Sequence, residues 1–324
     1  MKILVTGAEG FIGSHLVERL VRLKHKVRAF VLYNSFNSFG WLDTLDDEIK
    51  KKIDIVTGDI RDEKSVKDSV RNCDAVIHLA ALIGIPYSYY SPQAYIKTNL
   101  EGTYNILEAA RHMNCKNIII TSTSEVYGSA QYLPIDEAHP INSQSPYAAS
   151  KVAADQLALS YFKSFNTPVK IIRPFNVYGP RQSERAIIPT IINQTLGNNK
   201  KISLGNLEPC RDFNYIDDAV DAFIKVMKNQ KIYGDVVNVG TNKKISVRTL
   251  SNEILKLSKN KKLIEVNPLR KRPKLSEVSR LQCDNRKIKK LTKWKPNINL
   301  TEGLRKTIEW FKKNKSTNSN QYII

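Results

Sequence analysis

The run Met1-Lys2-Ile3-Leu4-Val5-Thr6 passes without a break into Gly7-Ala8-Glu9-Gly10-Phe11-Ile12-Gly13, and this junction restricts the fold more than any other stretch of the chain. The first six residues carry strand character, and Ser14-His15-Leu16-Val17-Glu18-Arg19-Leu20 continues with helical periodicity. Glycine is needed where backbone turns tightly, where it approaches a pyrophosphate, and where a helix packs close on a strand. The free N–H groups at the helix N-terminus then face the phosphates. A glycine triplet alone is weak evidence. One that follows a strand, opens a helix and begins at residue 7 predicts a dinucleotide site, with Gly7, Gly10, Phe11, Ile12 and Gly13 around it.

Behind this unit, strand and helix patterns alternate. They predict an α/β chain built as a Rossmann-like doubly wound parallel sheet with a smaller α/β substrate-binding lobe. Strands are expected at 26–33, 54–58, 75–79, 117–120, 169–173 and 236–239, and helices at 98–112, 147–165, 187–196, 217–228, 247–257 and 301–313. The 83–92 stretch, rich in Gly, Pro, Ser and Tyr, is expected to be a loop. Breakers between 174 and 181 set the lobe boundary. The dinucleotide domain is placed at 1–178 with a return over about 212–240, the substrate lobe at 179–211 and 241–315, and a polar tail at 316–324.

In dinucleotide folds an acid at the end of the second strand binds the adenosine ribose and rejects a 2′-phosphate. Tyr33 and Asn34 stand there instead, so the residues admit both NAD and NADP. Asp59 is a candidate adenine contact, although an Asp in a turn also serves as a cap. Leu79, Ala80 and Ala81 are small residues at a strand end where a cofactor comes close. His78, alone in an apolar strand, is expected to be a hydrogen-bonded core residue.

No apolar run approaches the roughly 18 residues of a membrane span, and the chain enters strand pattern at once, with no signal peptide; a cytoplasmic location and no membrane partner are expected. The four cysteines are far apart and do not cluster with His, which argues against a disulfide framework and a metal site. Net charge is +20, distributed as +3 over residues 1–185 and +17 over 186–324. The lysine-rich segments are scattered over loops and helix faces and lack interleaved aromatics. A solvated surface accounts for them, and no nucleic-acid partner is expected.

Two further stretches carry chemistry. Thr121-Ser122-Thr123-Ser124-Glu125 lies at the carboxyl end of a buried strand, where open parallel sheets bind ligands. Tyr147 and Lys151 are four residues apart in a window of good helix formers, so one face presents a phenol above an ammonium. A nearby positive charge favours the phenolate, which predicts a base near neutral pH. The plain alternative is that Tyr147 packs in a core, Lys151 is solvated and Glu125 is a surface carboxylate.

Together, G-x-x-G-x-x-G at Gly7, G-D-I-R-D at Gly58, L-A-A at Leu79, T-S-E-V-Y-G at Thr123, Y-x-x-x-K at Tyr147, R-P-x-N-x-Y-G-P at Arg173, R-D-F-x-Y-I-D-D at Arg211 and W-K-P at Trp294 resemble the extended short-chain dehydrogenase/reductase family of sugar-nucleotide epimerases and dehydratases. The likeness covers nearly the whole chain in order. It implies Thr123, Tyr147 and Lys151 as the groups that oxidise C4 of the sugar. Glu125 would be the base at C5 of a 4,6-dehydratase, with Glu125 or a water held by Ser124 protonating the leaving C6 hydroxyl. T-S-E resembles the GDP-mannose dehydratases, whereas dTDP-glucose dehydratases carry T-D-E.

The same resemblance implies a retained NAD, NADP being admitted, held also by Tyr33, Asn34, Asp59, Ile60, Asn99 and Val177. It implies a nucleotide sugar touched by Ile85, Ser88, Asn176, Arg185, Arg211, Arg272 and Glu277. I-P-Y-S-Y at Ile85 with Q-S-P-Y-A-A-S-K is most similar to dehydratases of the legionaminic-acid pathway. That implies nucleotide-linked N-acetylglucosamine, GDP ahead of UDP, for a bacterial surface sugar. Helices 98–112 and 147–165 carry enough small and apolar residues to pair across the axis of a homodimer, and ordinary core packing explains them equally well. The competing readings are a UDP-sugar 4-epimerase, an NADP-linked reductase and a nucleic-acid-binding regulator on the same fold.

Overall fold

A computed structural model describes residues 1–314. The main sheet takes β1 (Lys2–Thr6), β2 (Lys26–Leu32), β3 (Ile53–Gly58), β4 (Ala75–His78), β5 (Asn117–Thr121) and β6 (Val169–Pro174). After β7 (Asn176–Tyr178), β8 (Lys201–Leu204), β9 (Cys210–Arg211) and β10 (Phe213–Tyr215), the chain returns to that sheet as β11 (Val236–Val239). Then β12 (Ile245–Ser246) and β13 (Leu263–Val266) complete the described strands. The large sheet has the order β11-β6-β5-β4-β1-β2-β3, and every pair in it is parallel.

Strand order reverses between β1 and β4, since β2 and β3 lie on one side of β1 and the later strands on the other. Such a reversal opens a crevice beyond the strand ends. Thr6 and His78 are register partners there, so the glycine turn and the Leu79–Ala80 backbone share its floor. Apolar runs suit strands covered on both faces. One face packs Leu16, Val17 and Leu20 with Phe223 and Val226; the other packs Val66 and Val70 with Ile106, Leu107 and Ala158.

β7 pairs with β10, β9 with β12, and β8 with β13. Buried carboxylates organise this part. Asp212 accepts from the backbone of Thr241, Asn242 and Cys283 and from the Thr241 hydroxyl. Asp218 accepts from the Asn297 and Ile298 N–H groups, and the fully buried Trp294 donates its indole N–H to the Asp218 carbonyl. The first and last acids of R-D-F-x-Y-I-D-D, Asp212 and Asp218, and the tryptophan of W-K-P thus tie loops together.

Two local expectations are corrected. The 83–92 stretch is not a loop: Ile85–Tyr90 is a helix with proline in its first turn, where a missing N–H loses nothing, and Ser88 N–H donates to Gly84 C=O. The 98–112 helix is regular only over Gly102–His112, because Ile96–Glu101 winds as a π-helix. Asn99 lies in that turn and is buried. The expected polar tail at 316–324 lies outside the described residues, and among the described residues no helix is long and apolar enough to cross a membrane.

Candidate active site

The glycine turn is shaped by close contacts that a side chain would prevent. Gly7 has φ +64°, and a Cβ there would lie 2.8 Å from the Ala80 nitrogen. A Cβ on Gly13 would overlap the Gly7 carbonyl oxygen and come within 2.8 Å of the Ala8 Cα. Gly10 caps the Phe11–Arg22 helix, with its N–H on the Gly7 carbonyl at 3.1 Å. This compact turn before a helix N-terminus suits a pyrophosphate. Gly13→Ala is expected to lose about 1–3 kcal/mol of stability from overpacking, measured by urea unfolding; an unchanged midpoint would show that the turn yields.

A buried hydrogen-bonded chain joins this turn to the helix carrying Tyr147. Thr6 Oγ1 accepts from the Leu79 and Ala80 N–H groups and meets His78 Nδ1 at 2.8 Å. His78 Nε2 meets Thr103 Oγ1 at 3.2 Å, and Thr103 donates to the Asn99 carbonyl. Asn99 accepts from Leu82 N–H and donates to the Leu82 carbonyl and to Ser150 Oγ, which donates to the Tyr147 carbonyl. With Thr6 accepting twice, its proton falls to Nδ1, which leaves the ring neutral with Nε2–H. Burial pushes its pKa down to about 3, and the Lys151 charge pushes the same way. His78 is therefore a hydrogen-bonded core residue, as its apolar strand predicts, and Asn99 is a buried brace whose amide hydrogens are both engaged.

Thr123 caps the 3₁₀ turn Ser124–Tyr127, and its Oγ1 accepts from the Glu125 N–H at 3.2 Å. Its side chain and the Glu125 carboxylate are both near enough to the Tyr147 phenol to act on its ionisation. Tyr95 packs edge-on against Tyr147, with ring centroids 6.2 Å apart. Thr123, Ser124, Glu125, Tyr147 and Lys151 are all buried, contrary to the solvated alternative.

One electrostatic expectation is corrected. Burial raises the Tyr147 phenol above its ordinary value; the Thr123 side chain opposes this and Glu125 adds to it. Lys151 is not among the groups that shift it in this state; burial brings the ammonium itself down to about 8, with Asp155 opposing. The ammonium is thus under strain at neutral pH. Lys151→Met is expected to be more stable at pH 7 by on the order of 2 kcal/mol. The unfolded chain binds the extra proton between about 8 and 10.4, so wild-type stability rises with pH through that window and the gain of the variant fades. Urea unfolding at pH 7 and pH 10 measures this; a variant weaker at pH 7 would contradict it.

Beyond Glu125 lies a group of loosely paired charges. Arg272 Nη1 is 3.9 Å from both Glu125 Oε2 and Glu277 Oε1, and Arg211 Nη2 is 3.6 Å from the same Glu277 oxygen. Arg272 Nη1 is buried without a hydrogen-bond partner, as is Asn176 Oδ1. These groups are positioned to receive a polar ligand. A cavity of about 370 Å³ adjoins them, lined by Asn206, Lys271, Arg272, Lys274, Glu277 and Ser279.

The other expected contacts divide. Arg185 is exposed and close enough to Tyr95 to act on it electrostatically. Ile85 packs with Tyr95 and Tyr147, whereas the Ser88 hydroxyl is buried on the Ile85 carbonyl of its own helix. Asn34 holds its own turn through Leu32, Ser38 and Phe36, and Tyr33 is exposed. Asp59 is forked by Arg61, Ile60 is buried against Gly102, and Val177 lies half-buried in β7.

Sequence reasoning missed Asp155, although it continues the Tyr147, Lys151 spacing by four more residues. Asp155 Oδ2 accepts from Ser122 Oγ at 2.6 Å and from Arg173 Nε and Nη2 at 3.1 and 2.9 Å. It also missed Tyr95 and Glu9.

A family model described as GDP-mannose 4,6 dehydratase matches residues 4–307. A putative UDP-glucose 4-epimerase of Methanocaldococcus jannaschii is 34% identical over 97% of this chain and 100% of that protein. Human dTDP-D-glucose 4,6-dehydratase is 33% identical over 97% of this chain and 90% of its own length. The structure of UDP-glucuronic acid 4-epimerase from Bacillus cereus, in complex with UDP-glucuronic acid and NAD, is similar with a TM-score of 0.89 and 28% identity, covering 97% of this chain and 100% of that one.

Proposed function

The chain belongs to the GDP-mannose 4,6 dehydratase family of extended short-chain dehydrogenase/reductase sugar-nucleotide enzymes, and on that premise we propose that it is an NAD-dependent 4,6-dehydratase of a nucleotide-linked hexose. The observation that carries this is Glu125, a buried carboxylate beside Thr123 and Tyr147 that faces Arg272 instead of solvent. An epimerase working only at C4 has no use for a third proton-transfer group there. GDP-N-acetylglucosamine is the preferred substrate, ahead of the UDP-linked sugar, and the product serves a bacterial surface glycan.

When bound, NAD takes a hydride from the sugar and returns one in the same turnover, so the reaction has no net redox change. The turn from Gly7 to Gly13 fits its pyrophosphate, as the contacts forbidden to Gly7 and Gly13 side chains indicate. Tyr147 Oη removes the proton of the C4 hydroxyl, with Thr123 Oγ1 on the same oxygen; the positive charge of an oxidised nicotinamide, added to that of Lys151, would offset the burial that raises the free phenol. The 4-ketone acidifies the C5 hydrogen, Glu125 takes that proton, and the carboxyl so formed protonates the departing C6 hydroxyl; the enolate left when hydride returns to C6 takes a solvent proton at C5, and Tyr147 releases the C4 proton to solvent. Arg211, Arg272 and Asn176 hold the diphosphate and Glu277 a ribose hydroxyl; the substrate lobe over 179–211 and 241 onward supplies Arg211, Arg272 and Glu277, and β7 supplies Asn176 from the dinucleotide domain. Two copies pair through the faces carrying Tyr104 and Phe165, both exposed.

The second reading is a 4-epimerase of UDP-sugars, favoured by Ser124, which offers no carboxyl beside Glu125. Incubation with GDP- and UDP-N-acetylglucosamine and dTDP-glucose, followed by mass analysis, separates them. A dehydratase product is lighter by one water. A product of unchanged mass with inverted C4 would replace dehydration by epimerisation.

A further inference from the structure

Glu9 stands between the first two glycines, and its side chain reaches the end of β2. Its Oε1 accepts the Leu32 N–H at 3.0 Å, whereas its Oε2 is buried with no hydrogen-bond donor. A buried carboxylate oxygen without a donor is strongly unfavourable, which points to a donor supplied by a ligand. Burial raises this carboxyl above its ordinary range, with the Leu32 N–H opposing, and a hydroxyl on Oε2 would favour the charged form.

The end of β2 is where dinucleotide folds set an acid against the adenosine ribose. Here the residues that follow supply none. Tyr33 is 72% exposed, and the Asn34 amide is engaged by Leu32, Ser38 and Phe36. Asp43 is taken up by the Ser38 hydroxyl and the Phe39 N–H. Residues 29–49 contain no Lys or Arg that could receive a 2′-phosphate. The loop is fastened to Glu9 itself: Trp41 N–H donates to the Glu9 carbonyl at 3.0 Å, and a Cβ on Gly40, at φ +57°, would lie 2.8 Å from that oxygen. Strand, glycine turn and loop therefore hold one carboxylate in the place the missing acid would occupy.

We propose that Glu9 selects NAD over NADP, its free Oε2 accepting the 2′-hydroxyl of the adenosine ribose and its charge repelling a 2′-phosphate. This role rests on the dinucleotide reading of the glycine turn and is indifferent to whether the sugar chemistry is dehydration or epimerisation. Glu9→Gln retains an acceptor for Leu32 N–H and removes the charge. Calorimetric titration of dinucleotide-free protein with NAD and with NADP should show the preference for NAD falling by about tenfold or more in the variant. NAD lacking the adenosine 2′-hydroxyl should bind unaltered protein about tenfold more weakly, a test that needs no variant. Mass analysis of dinucleotide co-purifying with unaltered protein should find NAD. An unchanged NAD/NADP ratio in the variant, or full affinity for the 2′-deoxy analogue, overturns the role of Glu9 alone. Failure of unaltered protein to bind either dinucleotide overturns the dinucleotide site itself.

Discussion

Glu125→Gln is expected to lower the rate of water loss by about 10²–10⁴-fold while leaving oxidation at C4 in place, because the amide keeps the shape of the side chain and cannot take a proton. The carboxylate lies beside Arg272 and near the Tyr147 phenol, so its loss strikes the step after ketone formation. Two readouts separate this from general damage. Mixing the variant with substrate should leave reduced nicotinamide absorbance standing, since the cofactor is not returned to its oxidised form. Exchange of the C5 hydrogen with deuterated water should cease. Turnover within about tenfold of the parent would instead make Glu125 a structural carboxylate and leave the epimerase reading in place.

Arg173→Leu is expected to destabilise the protein by about 3–5 kcal/mol, because it strands Asp155 as a buried charge. Arg173 Nε and Nη2 both bond Asp155 Oδ2, and Nη1 bonds the Tyr127 hydroxyl at 2.9 Å. Only Ser122 Oγ and the charge of Lys151 would still support the carboxylate, whose other oxygen has no hydrogen bond. Burial already raises the Asp155 carboxyl, and loss of the guanidinium raises it further. The folded variant then holds a proton that the unfolded chain releases above about 3.9, so its stability falls as pH rises through that range. The deficit should therefore be smaller at pH 5 than at pH 8 by urea unfolding. Adding Asp155→Leu should recover much of the loss, since an apolar pair of similar volume removes the stranded charge. A single variant within about 1 kcal/mol of the parent would mean that water reaches Asp155.

Some of the site was legible because local spacing governs it. Tyr147 and Lys151 share a helix face by period alone, and Thr123 and Glu125 follow a strand whose end any parallel sheet opens toward ligand. The 83–92 stretch misled because its composition resembles a loop, whereas proline in a first turn starts a helix as readily as it ends one. The π turn at Ile96–Glu101 was hidden for a different reason: Asn99 within it bonds Leu82 and Ser150, partners that are distant in sequence.

From the order of residues alone came the parallel α/β architecture, the glycine turn at Gly7, the Tyr147 and Lys151 pair, and the likeness to sugar-nucleotide enzymes. Each depends on neighbours within a few turns of chain or on motif order along it. The reversal of strand order at β1 and β4, the Asp155–Arg173 pair, the facing of Glu125 by Arg272 and the reach of Glu9 to Leu32 were decided only in three dimensions. So was the upward shift of the Tyr147 phenol, because burial is set by what the whole fold places around a group, and at these positions exclusion of water outweighs the charge four residues away.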